Sequence, residues 1–376
     1  MAEAPIRLGM VGGGQGALIG GVHRIAARLD GHYDLVAGAL SSTPERAQAS
    51  AEALGIARSY DTFEDMAEAE AARDDGIEAV AIVTPNHVHA DAAIAFLSRG
   101  IHVICDKPLT STMEDAERLA EAARASDALF MLTHNYTGYP LVRQAREMIA
   151  AGDLGTIRLV NVEYVQDWMT GPAEGKQAEW RIDPARSGAG GSIGDIGTHA
   201  YNLACFISGL TLDKLSADLD AFGAGRTLDD NAHVMLRWQG GAKGMLWCSQ
   251  VAPGNENGLR IRIYGDKAGL EWGQESPNHM WFSPLGEPKR LLTRNGAGAS
   301  DANVAASRIP GGHPEGYFEA FANLYSEAAH AIHALRRGET PPKDLLYPTL
   351  DDGLDGMRFI DACVRSSSND SEWVTP

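Results

Sequence analysis

The feature that most constrains the fold is a short apolar run, Ile6 to Val11, that breaks at once into Gly12-Gly13-Gly14-Gln15-Gly16. Val22, Ile25, Ala26 and Leu29 then recur at helical spacing. Strand, glycine turn and helix, in that order, is the context a dinucleotide fingerprint requires. Amides at the start of such a helix can hold a pyrophosphate. Gly12 and Gly14 fit the first two glycines of the fingerprint. Position 17 is alanine, and Gly20 comes later, as if the loop carried extra residues. A plain flexible turn would use the same residue types.

The same grammar continues. Asp34 to Leu40 reads as a second strand, and Ala79 to Val83, His102 to Cys105 and Leu129 to Thr133 read as three more. Between the last two, Met113, Ala116, Leu119, Ala120 and Ala123 fall on one side of an amphipathic helix. Five strands alternating with helices predict an α/β fold with a doubly wound parallel sheet. Such sheets bind ligands beyond the carboxyl ends of their strands, so the residues at those ends are the candidates. They are Ser41, Ser42 and Arg46, then Thr84-Pro85-Asn86-His87-Val88-His89, then Asp106-Lys107-Pro108, then His134-Asn135-Tyr136. Pro85 keeps Thr84 extended, and Asn86 can cap the helix that follows. No acid stands at the tip of the second strand, where NAD enzymes usually bond the adenosine ribose. Two hydroxyls and Arg46 permit a 2′-phosphate, so NAD and NADP both stay open. Each of these residues also has a bland reading, as a solvated helix turn or an exposed sheet edge.

Length and charge narrow the classes of function. A chain of 376 residues exceeds one small core, so two domains are expected. Asp and Glu outnumber Lys and Arg by 50 to 32, and no basic block is present. Nucleic acid and anionic membranes are therefore poor partners, and a small substrate is expected. Cys105, Cys205, Cys248 and Cys363 form no C-x-x-C pair, which signals neither a zinc cluster nor a disulfide framework. The N-terminus lacks the pattern of a signal peptide. No apolar run approaches the ~20 residues that span a bilayer, and a cytoplasmic protein is expected.

After Thr133 the pattern changes. Tyr139 to Ala151 reads as a connecting helix and Ile157 to Gln166 as a long strand with the loose alternation of a sheet covered on both sides. Leu215 to Phe222, Asn231 to Trp238, Lys243 to Ser249 and Leu259 to Tyr264 read as strands joined by short turns, which suits an antiparallel sheet. Two helices close the chain, about Tyr317 to Arg337 and Leu350 to Arg365. This is α+β grammar. The boundary falls near residue 135, and the terminal helices can pack back on the first domain.

Within this half, Gly188 to Asn202 stands out. Four glycines precede Asp195, Gly197 follows it, and an apolar-spaced helix comes next. Glycines at this density let backbone approach a ligand closely. A helix starting near Asp195 puts Asp195 and His199 on one face. A carboxylate and an imidazole so placed suit proton transfer. They also suit a zinc site, or simply a capping Asp with an unrelated surface His.

Taken in order, the glycine turn, Thr84-Pro85-Asn86-His87, Asp106-Lys107-Pro108 and Gly190-Gly191-Ser192-Ile193-Gly194-Asp195-Ile196-Gly197-Thr198-His199 resemble one family. It is the glucose–fructose oxidoreductase / inositol dehydrogenase (Gfo/Idh/MocA) family, and the resemblance runs along nearly the whole chain. It departs in having Asp106 where the family usually has Glu before Lys-Pro, and in the longer glycine loop. The resemblance implies an N-terminal Rossmann domain, residues 1–135, that binds NAD(P). It implies a C-terminal α+β domain, residues 136–376, with a large, mainly antiparallel open sheet that binds substrate and forms the interface of a homodimer or homotetramer.

The resemblance also assigns roles. Lys107, Asp195 and His199 correspond to the family's catalytic trio, which works without a metal. Imidazole, with an unperturbed pKa of ~6.5, is the natural base for a hydroxyl proton. Lys107 can stabilise charge on the same oxygen. Asp195 can orient the hydroxyl or Lys107. Gly12, Gly14, Gln15 and Gly16, Ser41, Ser42 and Arg46, Thr84, Pro85, Asn86 and His89, and Asp106, Lys107 and Asn135 are the expected cofactor contacts. Tyr136, Trp168, Trp180, Arg181 and His313 join the catalytic trio as expected substrate contacts, a mix of aromatic walls and polar groups that suits a sugar. Packing is an equal use for each, and Arg181 can alternatively meet an anionic substituent. The expected activity is an NAD(P)-dependent dehydrogenase or reductase of a sugar, polyol or sugar derivative. The alternative is a glycoside-cleaving enzyme that oxidises, eliminates and re-reduces.

Overall fold

Ile6, Leu8 and Met10 are fully buried on β1 (Ile6–Gly12), which lies inside a six-stranded sheet. The structure, a computed structural model, describes residues 3–171 and 180–376. The other strands of this sheet are β2 (Tyr33–Ala39), β3 (Arg58–Ser59), β4 (Ala79–Val83), β5 (His102–Cys105) and β6 (Phe130–Leu132). Their order is β3-β2-β1-β4-β5-β6 and every pair is parallel. The order reverses at β1 and β4, which opens a crevice at the carboxyl ends of those strands. β4 is buried along its whole length, as expected where helices cover both faces of a parallel sheet. The helices are α1 (Leu18–Leu29), α2 (Pro44–Leu54), α3 (Phe63–Ala71), α4 (His89–Leu97) and α5 (Met113–Arg124). Thr62 and Thr112 cap α3 and α5 by accepting from the Asp65 and Asp115 amides. β3 and α3 had no counterpart in the sequence reading.

The chain forms two compact units. One holds the residues up to Asn135 together with Tyr317–Leu354, and the other holds Tyr136–Gly316 and Asp355–Pro376. The helix Tyr317–Arg336 thus belongs to the first unit. There Phe321, Leu324, Tyr325 and Ala328 share a core with Val22 and Ala26 of α1, and Tyr33 Oη–H donates to the Tyr325 carbonyl at 2.9 Å.

The second unit is built on eight strands in the order β14-β13-β12-β11-β7-β10-β9-β8. They are β7 (Ile157–Val165), β8 (Leu212–Asp220), β9 (Asn231–Trp238), β10 (Lys243–Ser249), β11 (Gly258–Gly265), β12 (Ala268–Gly273), β13 (His279–Pro284) and β14 (Arg290–Thr293). All neighbours are antiparallel except β7 and β10. β8 starts earlier than expected, and β12 to β14 were missed. One face of the sheet is buried, through Val160, Val162, Val234, Leu236, Leu246 and Ile261. α6 (Pro140–Ala150) and the helix Thr198–Ser208 belong to the same unit. The other face is not covered as the alternation of β7 suggested: Leu159, Met235, Met245 and Trp281 are exposed on it. Among the described residues no helix is long and apolar enough to cross a membrane.

The glycine turn after β1 shows how the fingerprint is met. Gly12, Gly13 and Gly16 have φ of +75°, +68° and +78°, a region side chains disfavour. A Cβ on Gly12 would lie 2.6 Å from the Val83 carbonyl oxygen, and one on Gly20 would lie 2.3 Å from the Gly13 carbonyl oxygen. Gly20 therefore performs the close helix-to-strand packing of the third fingerprint glycine, two residues inside α1. A Cβ on its neighbour Gly21 meets only the Arg24 guanidinium, at 3.9 Å. Gly20→Ala should destabilise the first unit by about 1–3 kcal/mol. Gly21→Ala should instead stabilise it by up to ~1 kcal/mol through helix propensity. Thermal melting of the two variants checks the opposite signs, and equal shifts would refute the assignment of Gly20.

Candidate active site

In the first unit the expected cofactor residues gather at the carboxyl edge of the sheet. Gly14 N–H donates to the Leu40 carbonyl (3.1 Å), and Gln15 N–H donates to Ser50 Oγ (3.1 Å), which fixes the loop. Gln15 and Gly16 are exposed at its tip. α1 begins with no side-chain cap and no acid in its first turn, so its leading amides suit an anion. Ser41 is half-buried, and Ser42 and Arg46 are exposed after β2. Thr84 Oγ1 and Asn135 Nδ2 are buried polar atoms with no hydrogen-bond partner among the described residues. Pro85 is half-buried beside Thr84, and Asn86 is buried. An uncapped helix start, a loop only glycine fits and orphaned polar atoms at two strand ends fit a dinucleotide.

His89 takes a different place from the one expected of a cofactor contact. It is fully buried, with Nδ1 2.9 Å from the Pro108 carbonyl oxygen and Nε2 3.0 Å from that of Thr84. Burial lowers its pKa, against the opposing pull of Asp106 and of the Pro108 and Thr84 carbonyls. It joins the turn after β4 to the Lys107-Pro108 turn from behind. Lys107 itself is half-buried. Asp106 Oδ1 accepts from Thr133 Oγ1–H (2.8 Å) and from the Lys107 amide (2.9 Å). Behind it, His23 places Nε2 4.0 Å from Asp106 Oδ1 and Nδ1 2.8 Å from Tyr325 Oη.

In the second unit Asp195 and His199 lie on one helical segment. It does not start at Asp195. The segment Ile193–Gly197 is a π-helical turn that continues into the helix Thr198–Ser208, and Asp195 N–H donates to the Gly191 carbonyl. Two glycines around it are pressed against the chain, while a Cβ on Gly194 would meet nothing within 4 Å. A Cβ on Gly191 would lie 2.0 Å from the Asp229 carbonyl oxygen, and one on Gly197 would lie 3.0 Å from Cys248 Sγ. The Asp195 carboxylate is ionically held: Oδ2 accepts from Arg181 Nε–H (3.1 Å) and Gln250 Nε2–H (2.9 Å). The Arg181 guanidinium lies 4.5 Å from the Trp180 ring centroid and 5.9 Å from that of Trp168. Arg181 thus meets a carboxylate of the chain itself, where an anionic substituent of a ligand was one expectation.

His199 is 7% exposed and its ring meets Tyr136 edge-on, at 4.9 Å between centroids. Tyr136, expected at the substrate, is buried behind the imidazole. Its hydroxyl lies 2.5 Å from that of Tyr164, whose own O–H donates to Asn257 Oδ1 at 2.8 Å. Gln166 Nε2–H donates to the same oxygen, and Trp168 Nε1–H donates to Gln166 Oε1. His313 is exposed on a loop whose carbonyls hold Arg294. Gln250, Tyr164 and Asp229 were missed in the sequence, where only the double acid Asp229-Asp230 gave a visible signal. Among the described residues no group of three His, Cys, Asp or Glu is arranged to hold a metal.

Residues 6–134 match the oxidoreductase family with an NAD-binding Rossmann fold, and residues 142–271 match the GFO/IDH/MocA C-terminal domain. The uncharacterised oxidoreductase YfiI of Bacillus subtilis is 37% identical, over 98% of this chain and 96% of its own. The chain belongs to the Gfo/Idh/MocA family. It is an NAD-binding oxidoreductase with an N-terminal Rossmann domain, as the sequence motifs implied. Among solved structures, an oxidoreductase from Sinorhizobium meliloti is 62% identical with a TM-score of 0.92, covering 99% of this chain and 100% of that one. An inositol dehydrogenase homologue from Azotobacter vinelandii, complexed with NADH and myo-inositol, is 38% identical with a TM-score of 0.93, covering 99% and 98%.

The Rossmann unit carries a built-in acid sensitivity. Burial lowers the His102 pKa to about 4 and, with the Lys107 charge beside it, that of His134 to about 3. His102 Nδ1 accepts from the Leu129 amide at 2.9 Å, which ties β5 to the entry of β6. Between the ordinary imidazole pKa of 6.5 and about 4, the unfolded chain binds a proton at His102 and the folded chain does not. Stability is therefore full above that upper value and falls as the pH is lowered through the window. Melting midpoints measured across this range should decline, and His102→Gln should flatten the decline. An unchanged slope in that variant would refute the assignment.

Proposed function

We propose that this oxidoreductase transfers a hydride between nicotinamide and a hydroxyl-bearing carbon of a sugar, polyol or sugar derivative. The observation that carries the reading is the Asp195–His199 turn, with its carboxylate anchored by Gln250 and by Arg181, whose guanidinium lies against two tryptophan rings. A polar pair beside aromatic walls suits a polyhydroxylated ring. Myo-inositol in the Azotobacter relative has the same chemistry.

His199 takes the proton of the hydroxyl being oxidised. Lys107 hydrogen-bonds the same oxygen and stabilises the charge that develops on it. Asp195, already aligned, orients the hydroxyl. Bound nicotinamide would supply the hydride acceptor. The glycine loop with Gln15, the uncapped start of α1, and Thr84, Pro85, Asn86, Asp106 and Asn135 would hold it. Ser41, Ser42 and Arg46 offer no acid and one cation to the adenosine ribose, which supports NADP as well as NAD. The exposed Met235, Met245, Leu159 and Trp281 on the outer sheet face support a homodimer or homotetramer joined through that sheet.

The test is incubation with NAD⁺ or NADP⁺ against myo-inositol, monosaccharides, sugar acids and simple glycosides. Stoichiometric NAD(P)H is expected. Sugar release from a glycoside without net NAD(P)H would replace this reading with oxidation, elimination and re-reduction. His199→Ala and Lys107→Ala should each lower kcat about 10²–10⁴-fold while cofactor binding, measured by thermal shift, is retained. Near-wild-type turnover in either variant would remove its assigned role.

A further inference from the structure

The turn that carries Asp195 is capped from elsewhere in the chain. Asp229 stands just before β9. Its Oδ1 accepts from the Gly191 amide (2.6 Å), and its Oδ2 accepts from Ser192 Oγ–H (2.6 Å) and the Ile193 amide (2.8 Å). Its backbone carbonyl accepts from the Ser192 amide at 2.8 Å. The leading amides of a helix have no partner within the helix. Here one residue satisfies successive amides at Gly191, Ser192 and Ile193. The approach is possible only because Gly191 lacks a side chain at the contact with the Asp229 carbonyl. Asp195 N–H donates to the Gly191 carbonyl at 2.9 Å, so the turn bearing Asp195 is built directly on the clamped residues.

The next residue reaches the same carboxylate by a second route. The Asp230 carbonyl accepts from the Gln250 amide at 2.8 Å, and Gln250 Nε2–H donates to Asp195 Oδ2. The Asp230 carboxylate is itself fixed, accepting from the Phe222 and Gly223 amides and from Arg226 Nη1–H. Arg226 Nη2–H in turn donates to the Met169 and Gly171 carbonyls. The Asp229-Asp230 pair therefore holds Asp195 both through its helix start and through its side chain.

We propose that Asp229 is a positioning residue of the reaction above: it fixes the start of the π-helical turn, and so sets where Asp195 and His199 stand toward the reacting hydroxyl. The proposal rests on the catalytic reading of that pair. Asp229 acts through the turn rather than through contact with the reacting atoms. A displacement of about 1 Å at a reacting group can cost ~10²-fold in rate, which is the scale a loosened turn would produce.

The test measures turnover of myo-inositol with NAD⁺, or of the panel compound oxidised fastest, for D229A, D229N, H199A and the doubles D229A/H199A and D229N/H199A. D229N keeps one carbonyl acceptor but turns an amide N–H toward a donor, so it is the milder change and carries the test if D229A fails to fold. D229A should lower kcat about 10–100-fold and D229N less, with KM for NAD⁺ within about twofold of wild type. In the H199A background the same substitutions should cost less than about threefold, because groups that act as a unit are not additive. Equal losses in both backgrounds, or a parallel rise in KM for NAD⁺, would show a general structural defect and overturn the proposal. Wild-type kcat in D229A with an inactive H199A would overturn the positioning role and leave the catalytic reading standing. Wild-type turnover in H199A, or a wild-type protein inert toward the whole panel, would overturn the catalytic reading and the proposal with it.

Discussion

A carboxylate set against the start of a helix is the interaction on which the Asp195–His199 turn of the second unit rests. Asp229 is half-buried, and burial pushes its carboxyl pKa up against the pull of the Ser192 hydroxyl and the Ile193 and Gly191 amides. The helix start offers aligned N–H dipoles, which favour a negative partner. The outcome is a fixed turn rather than a freely adjusting loop. From it Asp195 reaches Arg181 and Gln250, and His199 reaches the edge of the Tyr136 ring.

Glycine does the same work in both units. Gly20 lets α1 lie on Gly13, and Gly191 lets the turn bearing Asp195 lie on the Asp229 backbone. In each case the close approach is chain to chain. It is this contact that presents functional groups outward: the uncapped amides of α1 in one unit, the carboxylate–imidazole pair in the other. Glycine-rich sequence beside a functional motif therefore marks where the scaffold is pressed together.

This explains what was legible in the sequence. Strands buried on both faces, such as Ala79–Val83, announce themselves as unbroken apolar runs. β3, only Arg58 and Ser59, does not, and β13 and β14 lie half-exposed toward one edge of the sheet. The parallel pairing of β10 with β7 is a long-range contact that no local pattern encodes. In the second unit, the shared helical segment of Asp195 and His199 is legible from their spacing. For His89 and Tyr136 the residue type is legible but the burial and hydrogen-bond partners are not. Asp229 and Gln250 act across the fold, where the offset along the chain carries no signal.

The polar row behind His199 has a direction. Tyr164 gives its proton to Asn257, and its oxygen lies 2.5 Å from the Tyr136 hydroxyl. Asn257 Nδ2–H donates to Gln274 Oε1, and Gln274 Nε2–H donates to the Tyr139 hydroxyl. Gln166 is oriented by the same oxygen of Asn257 and therefore turns its carbonyl to the Trp168 indole. Each dipole in such a row strengthens the next. The back wall of the imidazole and the rim tryptophan thus share one polarity, and any partner meeting Trp168 faces an indole whose orientation was decided at the far end of the row.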